Sequence, residues 1–245
     1  MYPIRLCFAF LHMAFTAFCL IPVVMLRPLH RDNMYMAART VARGSAWIFG
    51  VRYVVENETY LTPQQPSVII GNHQDTLDMF FATHIVRSGV VALGKRELLY
   101  IPFIGLAFYL AGNILVNRQH KAQAKAALEK AVAKMQRRNM SVLIFPEGTR
   151  NWGKPLPFKM GAFNLAITGQ YPIVPVVFAL RPQTLNLRQW RWHCGEVYIR
   201  ALPPISTQGM TQEDAKALAA SCQHLIEQET LRLSAEHTST PTNPA

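Results

Sequence analysis

The stretch SVIIGNHQDTLD, Ser67–Asp78, decides how the chain is read. Val68, Ile69 and Ile70 make a short apolar run stopped by Gly71-Asn72, the pattern of a buried strand that closes at a turn. The residues that follow, DTLDMFFATHIV (75–86), predict a helix with Asp75 or Thr76 as its N-cap. His73 therefore falls in the tight turn from strand to helix, where α/β folds place much of their chemistry.

His73 and Asp78 are five residues apart. On one continuous helix five steps turn about 500°, leaving the two side chains roughly 140° apart. They meet only if His73 sits in the loop and Asp78 in the first turn of the helix. A carboxylate on one ring nitrogen would then fix the tautomer and steady an imidazolium, leaving the other nitrogen as a general base. A plainer reading keeps Asp78 as a complement to the helix dipole. A metal site built from His73, Asp75, Asp78 and His84 is disfavoured, because no HExxH or CxxC spacing supports it.

The chain has 245 residues and a net charge of +11, from 25 Lys and Arg against 14 Asp and Glu. Its length suits one α/β domain with an appendage. The charge implies an anionic partner, and it is not concentrated in the dense runs of a nucleic-acid tail; no RNP or zinc-finger signature occurs. Lipid or a phosphorylated substrate fits better than nucleic acid. Of the four cysteines, Cys7 and Cys19 lie about 18 Å apart along one helix, too far to bridge within it. No disulfide framework is evident, which suits a reducing compartment.

Leu6–Leu26 is an apolar run broken only by His12, Thr16 and Pro22, roughly 20 residues and so long enough for a bilayer core. A cleaved signal peptide is the rival, but the run lacks an A-x-A site, and Phe18 before Cys19 spoils a lipoprotein site. Only Arg5 precedes the run, whereas Arg27, Arg31, Arg39, Arg43 and Arg52 follow it; if the run spans, this bias places the remainder on the cytoplasmic side of an inner membrane. Asn33–Phe49 predicts a second, amphipathic helix able to lie in the interface. A hairpin dipping into one leaflet and a full span both fit.

Strands are expected at Val51–Val55 and Ser67–Ile70, around a polar turn, and at Val90–Leu93, Ser141–Phe145, Ile173–Leu180 and Glu196–Ala201. The apolar stretch Leu98–Val116 contains Pro102, Gly105, Gly112 and Asn113, so a buried helix and a following strand are expected rather than a second span. Lys121–Arg138 and Thr211–Leu233 predict helices. The expected organisation is a helical membrane anchor over 1–50, a single mixed α/β domain over 51–233 and a polar, disordered tail over 234–245.

Two further clusters follow strands. Gly94-Lys95 stands where a Lys head group reaches a bound phosphate. Phe145-Pro146-Glu147-Gly148-Thr149-Arg150 supplies a glycine, backbone N–H groups, a hydroxyl and a guanidinium, the parts of an oxyanion or phosphate cradle, with Lys159 beyond it. Taken singly, each reads as well as a surface charge or a turn pair.

Together these stretches resemble the bacterial lysophosphatidic acid acyltransferases of the glycerophospholipid acyltransferase superfamily. NHQDTLD (Asn72–Asp78) matches the family's NHxxxxD; GKRELLYIPFIG (Gly94–Gly105), FPEGTRN (Phe145–Asn151) and YPIVPV (Tyr171–Val176) match its next three blocks in order. LPFKMGAF (Leu156–Phe163) agrees with the segment after the third block, and Asn151 departs from the family's usual Ser. The resemblance implies acyl transfer from an acyl thioester to the sn-2 hydroxyl of lysophosphatidic acid, giving phosphatidic acid in phospholipid biosynthesis. It implies His73 as general base oriented by Asp78, with no covalent enzyme intermediate. Lys95, Glu147, Gly148, Thr149 and Arg150 would hold the acceptor, and Leu98–Leu110, with Phe103, Phe108 and Tyr109, would line the acyl-chain pocket. Acyl-coenzyme A or acyl carrier protein would be co-substrate, with no cofactor and no metal.

Other lysolipids, such as a lyso-ornithine lipid, are alternative acceptors. A serine hydrolase would need a GxSxG elbow, which is missing from the sequence. A non-enzymatic basic membrane binder explains charge and anchor but leaves the four ordered motifs as coincidence.

Overall fold

Alternation along the strands decides which helices cover which face of the sheet. In β2 (Val68–Gly71), Val68 and Ile70 join one buried cluster and Ile69 joins another. The first cluster is shared with α5 (Ala124–Arg138), α6 (Gly161–Gly169) and α7 (Ala215–Thr238), the second with α2 (Asn33–Phe49) and α3 (Asp78–Phe81). The result is three layers, helices on both faces of a central sheet. The computed structural model describes residues 2–62, 65–116, 124–151, 154, 156–179, 185–186, 191–192 and 194–238.

The sheet has seven strands. Across it run β1 (Val51–Glu56), β9 (Gly195–Ala201), β6 (Ile173–Phe178), β2, β5 (Ser141–Ile144), β3 (Val90–Lys95) and β4 (Ile114–Val116). All neighbours are parallel except β6 with β9, so the α/β class is mixed, as expected. Registers Ile70↔Ile144 and Ala92↔Leu143 bring the carboxyl ends of β2, β5 and β3 to one edge. A separate two-stranded ribbon pairs β7 (Leu185–Asn186) with β8 (Arg191–Trp192).

The consecutive strands β1 and β2 do not pair, since β9 and β6 stand between them. Several expectations are corrected. The helix expected over 75–86 shrinks to α3 and a 3-10 turn over Ala82–His84. Side chains cause this: Asp75 Oδ1 accepts the Leu77 N–H at 2.6 Å and Asp78 Oδ2 accepts the Asp75 N–H at 2.9 Å, holding the backbone in turns until residue 78. β3 runs through Lys95 instead of ending at Leu93. α4 (Ile104–Leu110) forms within the Leu98–Val116 stretch, but it is not buried: it packs on α1 (Tyr2–Leu26) and leaves Leu106 and Tyr109 exposed. α7 continues to Thr238, five residues into the expected tail, where Glu236 reaches Arg200 at 2.5 Å; residues 239–245 lie outside the described residues. So do residues 121–123 of the expected fifth helix and Leu180 of the expected strand.

α1 and α2 form an antiparallel hairpin. Arg5 Nη1 donates to Phe49 O at 3.0 Å near one end, and Asn33 Nδ2 donates to Arg27 O at 2.9 Å at the other. Midway the His12 ring lies on Gly44, where an added Cβ would stand 2.0 Å from the ring nitrogen, so glycine lets the ring seat against α2 in this position. α2 also faces inward, burying Ala38, Val41 and Phe49 in the second cluster.

Candidate active site

The parallel strands deliver their carboxyl ends to one edge, where loops carry the polar residues. His73 follows β2, and Asp78 opens α3 five residues later. His73 Nδ1 lies 2.8 Å from Asp78 Oδ2. That carboxylate is 1% exposed and also accepts the N–H groups of Gln74 and Asp75. With a carboxylate on Nδ1, this nitrogen carries the proton and Nε2 keeps its lone pair. The ring stays partly open, its side chain 19% exposed.

The loop after β5 grips the same histidine from the other side. The Phe145 ring stacks on the imidazole with centroids 4.6 Å apart and 26° between planes. Glu147 Oε1 accepts the His73 N–H at 2.8 Å, and the Asn151 N–H donates to His73 O at 2.9 Å. Glu147 is 3% exposed, so the structure sets this carboxylate against the His73 backbone and not among outward-facing phosphate ligands. Gly148 takes φ +72° and its N–H closes a turn on Phe145 O at 3.0 Å. Beyond that turn Thr149 and Arg150 are exposed, with Arg150 near enough to Asp75 to act on its carboxyl. Lys95 is exposed at the end of β3, on the same edge; among the described residues no hydrogen bond or ion pair joins it to His73, Asp78 or Glu147. Lys159 is exposed too, its N–H donating to Pro146 O at 2.9 Å.

Burial raises the Asp75 carboxyl to about 7, helped by the charge of Asp78; the Leu77 N–H, His73 and Arg150 pull the other way. Burial likewise raises Glu147, opposed first by the hydrogen bond from the His73 N–H.

His84 stands apart. It stacks on Tyr53 of β1 with centroids 3.7 Å apart, and burial pushes its imidazole down to about 4. It does not join His73, Asp75 and Asp78.

Sequence reasoning gave Asn72 and Phe145 no role. Asn72 clips β2 to β6, its Nδ2 donating to Phe178 O at 3.0 Å and its Oδ1 accepting Phe178 N–H at 2.9 Å. Gln74 Nε2 adds a bond to the same carbonyl at 2.7 Å. For Asn72 and Gln74 the signal was position alone, since both flank His73 in the turn; Phe145 comes from the loop after β5, and nothing local pointed to it.

The arrangement offers a proton acceptor at Nε2 beside a loop bearing cations, and comparison with known proteins bears on what it accepts from. Residues 52–179 match the family model described as acyltransferase. The 1-acyl-sn-glycerol-3-phosphate acyltransferase of Escherichia coli (strain K12) is 36% identical over 190 residues, 77% of this chain and 77% of the relative. The human 1-acyl-sn-glycerol-3-phosphate acyltransferase alpha is 35% identical over 211 residues, 86% of this chain and 74% of the relative. Among solved structures, the 1-acyl-sn-glycerophosphate (LPA) acyltransferase from Thermotoga maritima superposes with a TM-score of 0.69 at 21% identity, covering 96% of this chain and 98% of that one, which establishes a shared fold.

Proposed function

The chain belongs to the acyltransferase family, and on that premise we propose that it moves a fatty acyl group from an acyl thioester to the sn-2 hydroxyl of 1-acyl-sn-glycerol-3-phosphate, giving phosphatidic acid. The observation that carries this reading is the 2.8 Å pairing of His73 Nδ1 with the buried Asp78, which leaves Nε2 available to a substrate.

As the hydroxyl oxygen attacks the thioester carbonyl, Nε2 takes its proton and the C–O bond forms. Asp78 steadies the resulting imidazolium without itself becoming protonated. When the tetrahedral intermediate collapses, the C–S bond breaks and the imidazolium returns its proton to the leaving thiolate. No enzyme nucleophile is involved, because the acceptor oxygen attacks directly. Arg150, exposed beside the turn at Gly148, would hold the acceptor's phosphate, with Thr149 and Lys95 as further donors on the same edge. The donor is acyl-coenzyme A or an acylated carrier protein, both anionic and suited to a chain of charge +11.

The acceptor and product are lipids, and α1 supports membrane association: residues 3–26 have mean hydropathy 2.2, long and apolar enough to cross a bilayer. The hairpin geometry favours lying within one leaflet. A perpendicular α1 would carry α2 across as well, with Arg39, Arg43 and the core it shares with the sheet. The cationic residues after α1 favour the cytoplasmic side of an inner membrane.

The test is thiol release by the purified protein with an acyl thioester and a panel of lysolipids. Phosphate-monoester acceptors should support release with formation of a new diacyl lipid. Preference for a lyso-ornithine lipid or for a lysophospholipid with a substituted phosphate overturns the acceptor assignment. Thiol release with free fatty acid and no new lipid makes the protein a hydrolase.

A further inference from the structure

The segment that leaves the site edge after Lys95 behaves unlike an interior connection. It forms a 3-10 turn over Arg96–Tyr100, passes Pro102-Phe103, and enters α4. Its large apolar side chains face out: Tyr100 is 81% exposed, and Ile101, Phe103, Leu106 and Tyr109 are all between 42% and 50%. An apolar row of this size on one short segment marks an interaction surface. Leu98 and Phe108 turn back against Gly94, while the residues named above face out. Phe103 and Tyr109, set along an acyl pocket by the sequence-based expectation, stand about half exposed.

Two observations say what covers this row. The first is continuity with α1. Phe103 packs edge-on against Phe18, centroids 5.3 Å apart, and both rings remain more than half or about half exposed. Whatever medium bathes the open face of α1 at Phe18 thus also reaches Phe103. The second is backbone strain. Phe103 takes φ +60° and ψ −49°, and Ile104 N–H closes on Pro102 O at 2.6 Å, a γ-turn that L-residues rarely adopt. The strain holds an aromatic ring outward beside α1. Exposed Lys95 and Arg96 lie at the root of the segment, placed for anionic head groups.

We infer that residues 96–110 form a second bilayer-contacting element, set beside α1 and seated among the head groups and upper acyl chains of an anionic leaflet. The element issues from the same sheet edge as His73, so its insertion would set the site mouth at the lipid surface, where a lysolipid acceptor lies. This rests on the membrane reading of α1, and the experiment separates the two.

Single cysteines at Phe8→Cys in α1, Tyr100→Cys, Leu106→Cys and Lys216→Cys are placed in a Cys7→Ser, Cys19→Ser, Cys194→Ser full-length background and labelled with an NBD fluorophore. Cys222 is fully buried and stays. On vesicles of phosphatidylcholine and phosphatidylglycerol, labels at 8, 100 and 106 should shift to the blue and be quenched by doxyl-labelled lipid. The label at 216, exposed on α7, should stay in water. Labels at 100 and 106 remaining in water while 8 is quenched overturn the inference and spare the α1 reading; all three in water overturn both. A concentration-dependent blue shift without vesicles assigns the face to a second copy of the chain and likewise overturns it.

Discussion

At His73 the consequences of removing one side chain can be separated. His73→Ala should lower kcat by about 10²–10⁴, the range typical of a positioned general base, while circular dichroism stays unchanged because the ring is partly open. Near-normal turnover would exclude the role. Glu147 is tested by a pair of substitutions. Glu147→Ala leaves a buried His73 N–H without its acceptor, a loss of about 1–3 kcal/mol, and should lower kcat with the acceptor KM little changed. Glu147→Gln keeps a carbonyl acceptor and should recover most of that kcat; a raised acceptor KM in either variant would return Glu147 to the phosphate. Asp75 predicts a pH effect on stability. Its folded-state value of about 7 lies above the ordinary 3.8, so its contribution is fully present in acid and is lost as pH rises through 7. Asp75→Asn should therefore raise Tm more at pH 8 than at pH 5, read from thermal melts at both; an equal change at the two pH values would sink the assignment. The His73–Asp78 pairing was legible because both residues sit in one turn. Glu147 is 74 positions from His73, and its direction depends on β5 lying beside β2, which no local pattern states.

Among the elements, the segment following β5 combines two tasks, holding His73 through Phe145, Glu147 and Asn151 and presenting Arg150 outward. Charge-assisted hydrogen bonds contribute about 1.5–3 kcal/mol each. Arg150→Ala should accordingly raise the acceptor KM by about 10- to 100-fold, with the thioester KM far less affected. Steady-state kinetics varying each substrate in turn decides it, and an unchanged acceptor KM would remove the guanidinium from the phosphate seat. The strands were readable because each is a short Val- and Ile-rich run between breakers, buried on both faces in a mostly parallel sheet. Two helices were not. α3 is short because Asp75 and Asp78 bond to nearby backbone N–H groups, a competition that composition does not reveal. α4 was expected inside because its residues are apolar, but apolar content looks the same whether the face it makes meets a core or a membrane.

At the scale of the molecule, strand order was beyond local reading: β9, from near the carboxyl end, inserts between β1 and β6 and makes the lone antiparallel pairing in the sheet among the described residues. The same long-range closure makes the amino-terminal helices part of the body. Phe49 of α2 and Phe10 of α1 both meet the Phe80 ring, with centroids 5.2 and 5.4 Å away, and Phe49 and Phe80 are fully buried. Truncating a single buried aromatic costs about 3–5 kcal/mol, against a whole-domain stability of about 5–15 kcal/mol. Removing residues 1–49 deletes Phe49 together with Val41 and Ala38 and uncovers Ile69, Phe80 and Val176. That truncation should aggregate rather than yield a soluble body. Removing only residues 1–26 leaves α2 on the sheet and should give a folded protein with weakened membrane binding. Size-exclusion chromatography of the two truncations without detergent distinguishes them; a monodisperse, folded product lacking residues 1–49 would show that α2 does not belong to the core.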